Sequence, residues 1–211
     1  MESGPSFLIL GLGNPGRRYA ATRHNFGFFV VDELAARAGV ALREGPGPSR
    51  IAPLTIGGAR GWVAEPMTFM NRSGLAAVAL RDQWEGPAID RVLVVADDLD
   101  LPLGSMRFRK SGGNGGHNGL RSLIAELGTR DFPRLRLGIG RPATEAPDVV
   151  IDFVLEPFDP EEREVVGEVV NQAVEGVRTF VQDGIDAAMN RFNTGGGRGW
   201  MHPQGGGQSD P

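Results

Sequence analysis

The sequence contains no cysteine. That absence removes disulfide frameworks, thiolate metal sites and cysteine nucleophiles together, and it fits a reducing compartment. Long apolar runs are missing too. Nothing approaches the roughly 20 residues that a membrane-spanning helix needs. The opening Met1-Glu2-Ser3-Gly4-Pro5 lacks the basic stretch and apolar run of a secretory leader, so the expected location is the cytoplasm. Histidine is scarce: only His24, His117 and His202 occur, far apart in sequence, and this spacing does not suggest zinc. No Gly-Lys-Ser/Thr follows the glycine-rich stretches, which excludes a P-loop. No Gly-x-Ser-x-Gly elbow occurs either, which leaves a serine hydrolase of the common α/β type unsupported.

The 211 residues that are present favour one domain, large enough to bury a core without staples. Net charge is −4, but it is unevenly spread. Residues 101–142 carry eight Lys/Arg against two acids, and residues 143–194 carry three Arg against twelve acids. A basic segment inside an acidic chain reads either as a local anion-binding footprint or as a solvated charged face.

Strand and helix signals alternate. Phe7–Leu10 reads as a buried strand entering Gly-Leu-Gly-Asn-Pro-Gly, and Asn25 as the cap of an amphipathic helix ending near Ala38 and Gly39. Two strands, Ile51–Ile56 and Gly61–Ala64, flank the turn Gly57-Gly58. Leu75–Trp84 reads as a helix and Arg91–Ala96 as a buried strand. Met106–Lys110 follows as a strand, residues near Asn118–Leu127 as a helix, and Leu135–Ile139 as a strand. Two acidic helices are expected over Pro160–Asp183 and Ile185–Phe192. The pattern predicts an α/β fold: a single domain with a twisted mixed β-sheet and helices on both faces. Residues 1–194 form that domain. Residues 195–211, rich in Gly, Pro and Gln, are expected to be a disordered tail.

Four stretches can carry chemistry. Gly11-Leu12-Gly13-Asn14-Pro15-Gly16 matches the dinucleotide fingerprint, but no helix opens at its third glycine, and Asp32 and Glu33 fall within a helix instead of ending a second strand. Its glycines read better as a sharp turn presenting Asn14. His24, in Thr22-Arg23-His24-Asn25, sits in a loop after the first strand, a common place for catalytic groups in α/β proteins. Asp97-Asp98-Leu99-Asp100, after a buried strand, can bind a cation, orient a base or cap a turn. Gly112-Gly113-Asn114-Gly115-Gly116-His117-Asn118-Gly119 is either a backbone site for an anion or carbonyl, or a flexible surface loop. A hydrolase built from these parts would activate water with a histidine base, a carboxylate to orient it and asparagine amides to hold an oxyanion.

Taken together, these stretches resemble the bacterial-type peptidyl-tRNA hydrolase family. The resemblance rests on them, on Pro66-Met67-Thr68-Phe69-Met70-Asn71-Arg72-Ser73-Gly74, and on Arg134-Leu135-Arg136-Leu137-Gly138-Ile139-Gly140-Arg141-Pro142, all in the family's order from about residue 7 to residue 192. It implies hydrolysis of the ester between a peptide and the 3′ ribose of tRNA, with peptidyl-tRNA as the partner, no metal or organic cofactor, no membrane, and a monomer. By position it implies His24 as catalytic base and Asp97 as the carboxylate that orients it. It places Asn14, Asn71 and Asn118 on the peptide carbonyl and acceptor end, Met70 and His117 in the same cleft, and Tyr19, Arg109 and Arg136 against the acceptor stem or its 5′ phosphate. Arg109 stands where many members have lysine, which changes donor geometry but keeps the charge. Glu65 stands where members are often basic. A non-catalytic RNA-binding relative is the alternative that the resemblance leaves. Against a phosphate clamp by Arg109 and Arg136 stands the possibility that both pair with the acidic C-terminal helices.

Overall fold

The structure is a computed structural model, and it describes residues 6–83 and 87–193. The expected tail, the first five residues and the end of the helix expected at Trp84 lie outside the described residues. Among the described residues no helix is long and apolar enough to cross a membrane.

Seven strands form one mixed sheet among the described residues. They are β1 (Leu8–Gly11), β2 (Arg43–Glu44), β3 (Ser49–Ile56), β4 (Ala59–Pro66), β5 (Val92–Asp98), β6 (Met106–Arg109) and β7 (Arg134–Gly138), in the order β2-β3-β4-β1-β5-β7-β6. β1 lies at the centre, parallel to β4 and β5, and β7 runs parallel to β5. The hairpin β3–β4 and the pair β6–β7 are antiparallel.

The central strands are apolar on both sides because helices cover both faces. Phe7, Ile9, Leu93 and Val95 pack on one side with α1 (Phe26–Arg37) and α5 (Arg163–Phe192). Leu8, Leu10, Val94 and Ala96 pack on the other with α2 (Ser73–Gln83) and α3 (Asn118–Leu127). Phe7, Phe26, Phe108 and Phe180 are fully enclosed on the first side; each such side chain contributes roughly 1.5–3 kcal/mol.

The two acidic C-terminal helices meet at Gly184 as expected: α5 is broken there (φ 87°, ψ 176°), where only glycine takes the required backbone without strain. Two readings of the sequence need correction. A further helix, α4 (Pro147–Leu155), was not anticipated; none of its residues is fully buried, and it packs against the core through Phe153 and Val154. The glycines of the first loop serve close packing more than turning. A Cβ on Gly13 would lie 2.6 Å from the Phe28 ring, and a Cβ on Gly11 would strike the backbone of Gly27; only Gly16 has a left-handed φ, 104°.

The approach is reciprocal, since a Cβ on Gly27 would run into backbone atoms of Leu12 and Val95. Helix α1 therefore lies directly on the carboxyl ends of β1 and β5. Gly27→Ala should push this helix off the sheet and lower Tm by roughly 3–10 °C, from an overpacking cost of about 1–3 kcal/mol. An unchanged melting curve would show that the close approach is dispensable.

Candidate active site

Three parallel strands deliver their carboxyl ends to one place. β1 runs into Asn14, β4 into the 3-10 turn Met70–Arg72, and β5 into Asp97. The connections through α1 and α2 leave on opposite faces of the sheet, which opens a crevice at these ends.

Alternation along β5 separates its two terminal acids. Asp97 follows Val95 onto the α1 side, where the 3-10 turn Arg23–Asn25 places His24. His24 Nδ1 lies 2.9 and 3.0 Å from the two carboxylate oxygens of Asp97. His117 completes the group: its Nε2 is 3.0 Å from Asp97 Oδ1. The tautomer of His117 follows from its other nitrogen. The N–H groups of Gly119 and Leu120 donate to His117 Nδ1 at 3.1 and 3.3 Å, so this ring caps α3 with an unprotonated nitrogen and carries its proton on Nε2, toward Asp97. His24 likewise donates from Nδ1, which leaves its Nε2 without a partner among the described residues.

Asp97 is only 4% exposed. Burial by itself raises a carboxyl pKa, but the two histidines and their hydrogen bonds outweigh it and hold Asp97 well below the usual carboxylate range. Burial likewise disfavours the charged form of His24, yet the charge of Asp97 and its hydrogen bond raise the His24 pKa above the ordinary value. His24, Asp97 and His117 are also the described residues placed to hold a metal. As arranged, the facing nitrogen of each ring is engaged with an Asp97 oxygen through a hydrogen bond. The cluster would have to give up its bridging protons to take an ion.

Asn14 is held from three directions. Asn25, expected as a helix cap, makes no cap bond. Its side chain instead clasps the Asn14 backbone, Oδ1 accepting from Asn14 N–H at 2.8 Å and Nδ2 donating to Asn14 C=O at 3.0 Å. Met70 N–H then donates to Asn14 Oδ1 at 2.8 Å. The amide is thereby oriented, and its Nδ2 is left as the donor available to the crevice. Met70 is buried against Gly119 at the start of α3. Asn71 and Asn118 are exposed at the adjoining turn and helix start, and Asn118 accepts from Arg121 at 2.5 Å. Tyr19 stands edge-on to the exposed Phe69, ring centres 6.3 Å apart.

Arg136 and Arg109, expected from the resemblance at a phosphate, lie one and two strands beyond β5, on β7 and β6. Register pairs Arg107 with Arg136 and Arg109 with Arg134, so the side chains of all four arginines leave the same face of β6–β7. With the glycine loop 112–115, three of them, Arg109, Arg134 and Arg136, line a cavity of about 380 Å³. Arg136 does not pair with the acidic helix. It pairs with Asp98, which alternation turns to that face, and lies 3.7 Å from Asp100. Lys110 takes the acidic helix instead, 2.7 Å from Asp186, and Arg109 makes no ion pair among the described residues.

Two features escaped the sequence. Arg23 is buried beside His24 and ties its loop to the segment after α4: Nη1 donates to Pro157 C=O at 2.8 Å, Nη2 pairs with Glu162 at 2.8 Å, and the guanidinium lies over Phe153. Partners more than 130 residues away leave no local signal. The second is Glu65, 1% exposed, which pairs with Arg50 at 3.3 Å and lines a cavity together with Asp32 of α1.

A family model described as peptidyl-tRNA hydrolase matches residues 8–199. The chain belongs to the peptidyl-tRNA hydrolase family. It is 46% identical over 187 residues to a peptidyl-tRNA hydrolase of Chloroflexus aggregans, covering 89% of this chain and 98% of that one. It is 49% identical over 190 residues to one of Symbiobacterium thermophilum, with the same coverages. The crystal structure of peptidyl-tRNA hydrolase from Acinetobacter baumannii superposes with a TM-score of 0.83 at 35% identity, over 92% of this chain and 97% of that one. Family membership and this likeness agree with the single mixed sheet expected from the alternation of strands and helices.

Burial and the charge of Asp32 raise the Glu65 pKa from 4.5 to about 8, with Arg50 opposing. Between those values the native state holds a proton that the unfolded chain has lost. The associated stability is complete below about 4.5 and is lost as pH rises through about 8. Glu65→Gln should therefore flatten the fall of Tm between about pH 4.5 and 8 relative to the parent. Parallel Tm-against-pH curves for the two proteins would contradict this.

Proposed function

We propose that this chain hydrolyses the ester joining a peptide, or an N-blocked aminoacyl group, to the 3′ ribose of tRNA, and so recycles tRNA from prematurely released peptidyl-tRNA. The observation that carries the mechanism is the pairing of His24 with buried Asp97, which leaves His24 Nε2 open to the crevice. In this reading His24 Nε2 takes a proton from water as the water oxygen attacks the ester carbonyl. Asp97 orients the ring and stabilises the imidazolium that forms. The Nδ2 of Asn14 donates to the developing oxyanion, with Asn71 and Asn118 on the acceptor end, and the imidazolium then protonates the departing ribose oxygen. Met70 and His117 wall the crevice. The protein is read as a cytoplasmic monomer, since one crevice formed by one chain serves one acceptor end.

Release of tRNA from N-acetyl-aminoacyl-tRNA but not from unblocked aminoacyl-tRNA tests the activity. His24→Ala should lower kcat by at least roughly 100-fold with little change in tRNA affinity. Because Asp97 raises the His24 pKa, the acid limb of kcat/KM should lie above the ordinary histidine value of 6.5. Asp97→Asn should lower kcat less and move that limb to lower pH. A His24→Ala protein with near-normal kcat, or an acid limb unmoved in Asp97→Asn, rejects the mechanism.

Arg109 and Arg136 are assigned to a phosphate, most simply the 5′ phosphate near the ester, with Tyr19 against the acceptor stem. Arg109, free of acidic partners among the described residues, is the cleaner probe. Arg109→Ala should raise KM while kcat changes much less, and should flatten the salt dependence of binding by about one phosphate contact. The effect should shrink on dephosphorylated tRNA. Equal losses on both substrates with an unchanged salt slope would exclude the contact.

A further inference from the structure

Two histidines compete for one oxygen at the end of β5. His24 Nδ1 lies 2.9 Å from Asp97 Oδ1 and 3.0 Å from Oδ2, so its proton is shared between the two oxygens. His117 Nε2 lies 3.0 Å from the same Oδ1. The two rings stand side by side, their centres 4.8 Å apart and their planes tilted by 48°. His117 is held in this contact by its other nitrogen. Nδ1 accepts from the N–H groups of Gly119 and Leu120 and caps α3, and turning the ring would uncap the helix. Asp97 is buried, so these donors and not bulk water divide its charge. The other charged groups nearby are turned elsewhere. Asp98 takes Arg136, and Arg23 takes Pro157 and Glu162. Arg121 of α3 takes Asn118, α1 has no acid in its first turn, and Asp148 and Asp152 of α4 are exposed.

We propose that His117 is a positioning residue of the hydrolysis: by donating to Asp97 Oδ1 it draws off part of the carboxylate's hold on the His24 Nδ1–H, and so sets how basic His24 Nε2 is. This role rests on the hydrolase reading. A donor aimed at a carboxylate stabilises its charge and leaves less for a second partner. Asp97 strengthens the affinity of the His24 ring for a proton, and His117 limits that gain. The limit matters because a general base works best when its basicity matches the operating pH; a base that is protonated too readily is seldom free to act. The direction of the effect separates this role from a structural one. Loss of a residue that merely braces the crevice would loosen the His24–Asp97 contact and send the His24 titration down, toward the ordinary histidine value. Loss of a competing donor tightens that contact and sends it up.

The two nitrogens of His117 can be replaced separately. His117→Asn keeps an acceptor for the N–H groups of α3 and lacks the reach to Asp97; His117→Gln keeps a donor of similar reach to Nε2 and is a poor cap. His24 is followed by NMR titration of its imidazole in histidine-labelled protein, which needs no turnover, and by the acid limb of kcat/KM on N-acetyl-aminoacyl-tRNA. His117→Asn should move both to higher pH, opposite to Asp97→Asn. At about pH 5.5 its kcat/KM, relative to its own plateau, should fall roughly two- to fivefold below the parent's, the scale of part of one hydrogen bond. His117→Gln should titrate as the parent does, with a lower Tm from the lost cap. A His24 titration that stays in place or moves down in His117→Asn overturns the proposal, as does a shift in His117→Gln equal to that in His117→Asn. An upward NMR shift in a protein that releases no tRNA from the blocked substrate overturns the hydrolase reading and not the competition for Asp97.

Discussion

A carboxylate buried at the end of a central strand has to be neutralised by its surroundings, and the geometry of the crevice follows from how that is done here. Asp97 accepts from His24 and from His117. Taking a charge out of water costs several kcal/mol, so removing one partner of such a group is strongly destabilising. Each donor is itself secured. His117 is fixed by capping α3, and the His24 loop is fixed by Arg23 through Pro157 and Glu162. One acid thus draws together the first strand's loop, the glycine-rich loop and the start of α3, and it sets which nitrogen of each imidazole holds a proton.

The two-residue period of β5 divides labour between neighbouring acids. Asp97 faces the α1 side and the histidines, whereas Asp98 faces the β6–β7 arginines and holds Arg136. A shift of one residue in this strand would exchange those environments. The same period on β6 turns Phe108 toward α5 and Arg109 away from it. An acidic protein can therefore present a basic face near its crevice. Its negative helix satisfies Lys110 on the opposite side and leaves Arg109 without an acidic partner among the described residues.

Amide groups provide the remaining order. Asn25 clasps the Asn14 backbone as a neighbouring strand would, and Met70 N–H fixes the Asn14 side chain. Neutral donors oriented in this way can stabilise developing charge without adding a charge of their own to the buried crevice.

The sequence by itself determined the alternation of elements, the two-faced apolar character of β1 and β5, and the candidacy of His24, Asp97 and His117. These depend on local periodicity and on residue types in order, which a linear string carries. The resemblance of the motifs added the family. Tertiary structure supplied the physical reason for Asp97 over Asp98, a choice that came with that resemblance: strand register and the face that α1 covers. It also decided that Asn25 serves Asn14 and not its own helix, that Gly11, Gly13 and Gly27 are there for contact between α1 and the sheet, and that Arg23, Glu65 and Asp32 are engaged at all. Each of these depends on partners distant in sequence brought within about 3 Å, and the free energy of such contacts comes from burial that no local pattern encodes.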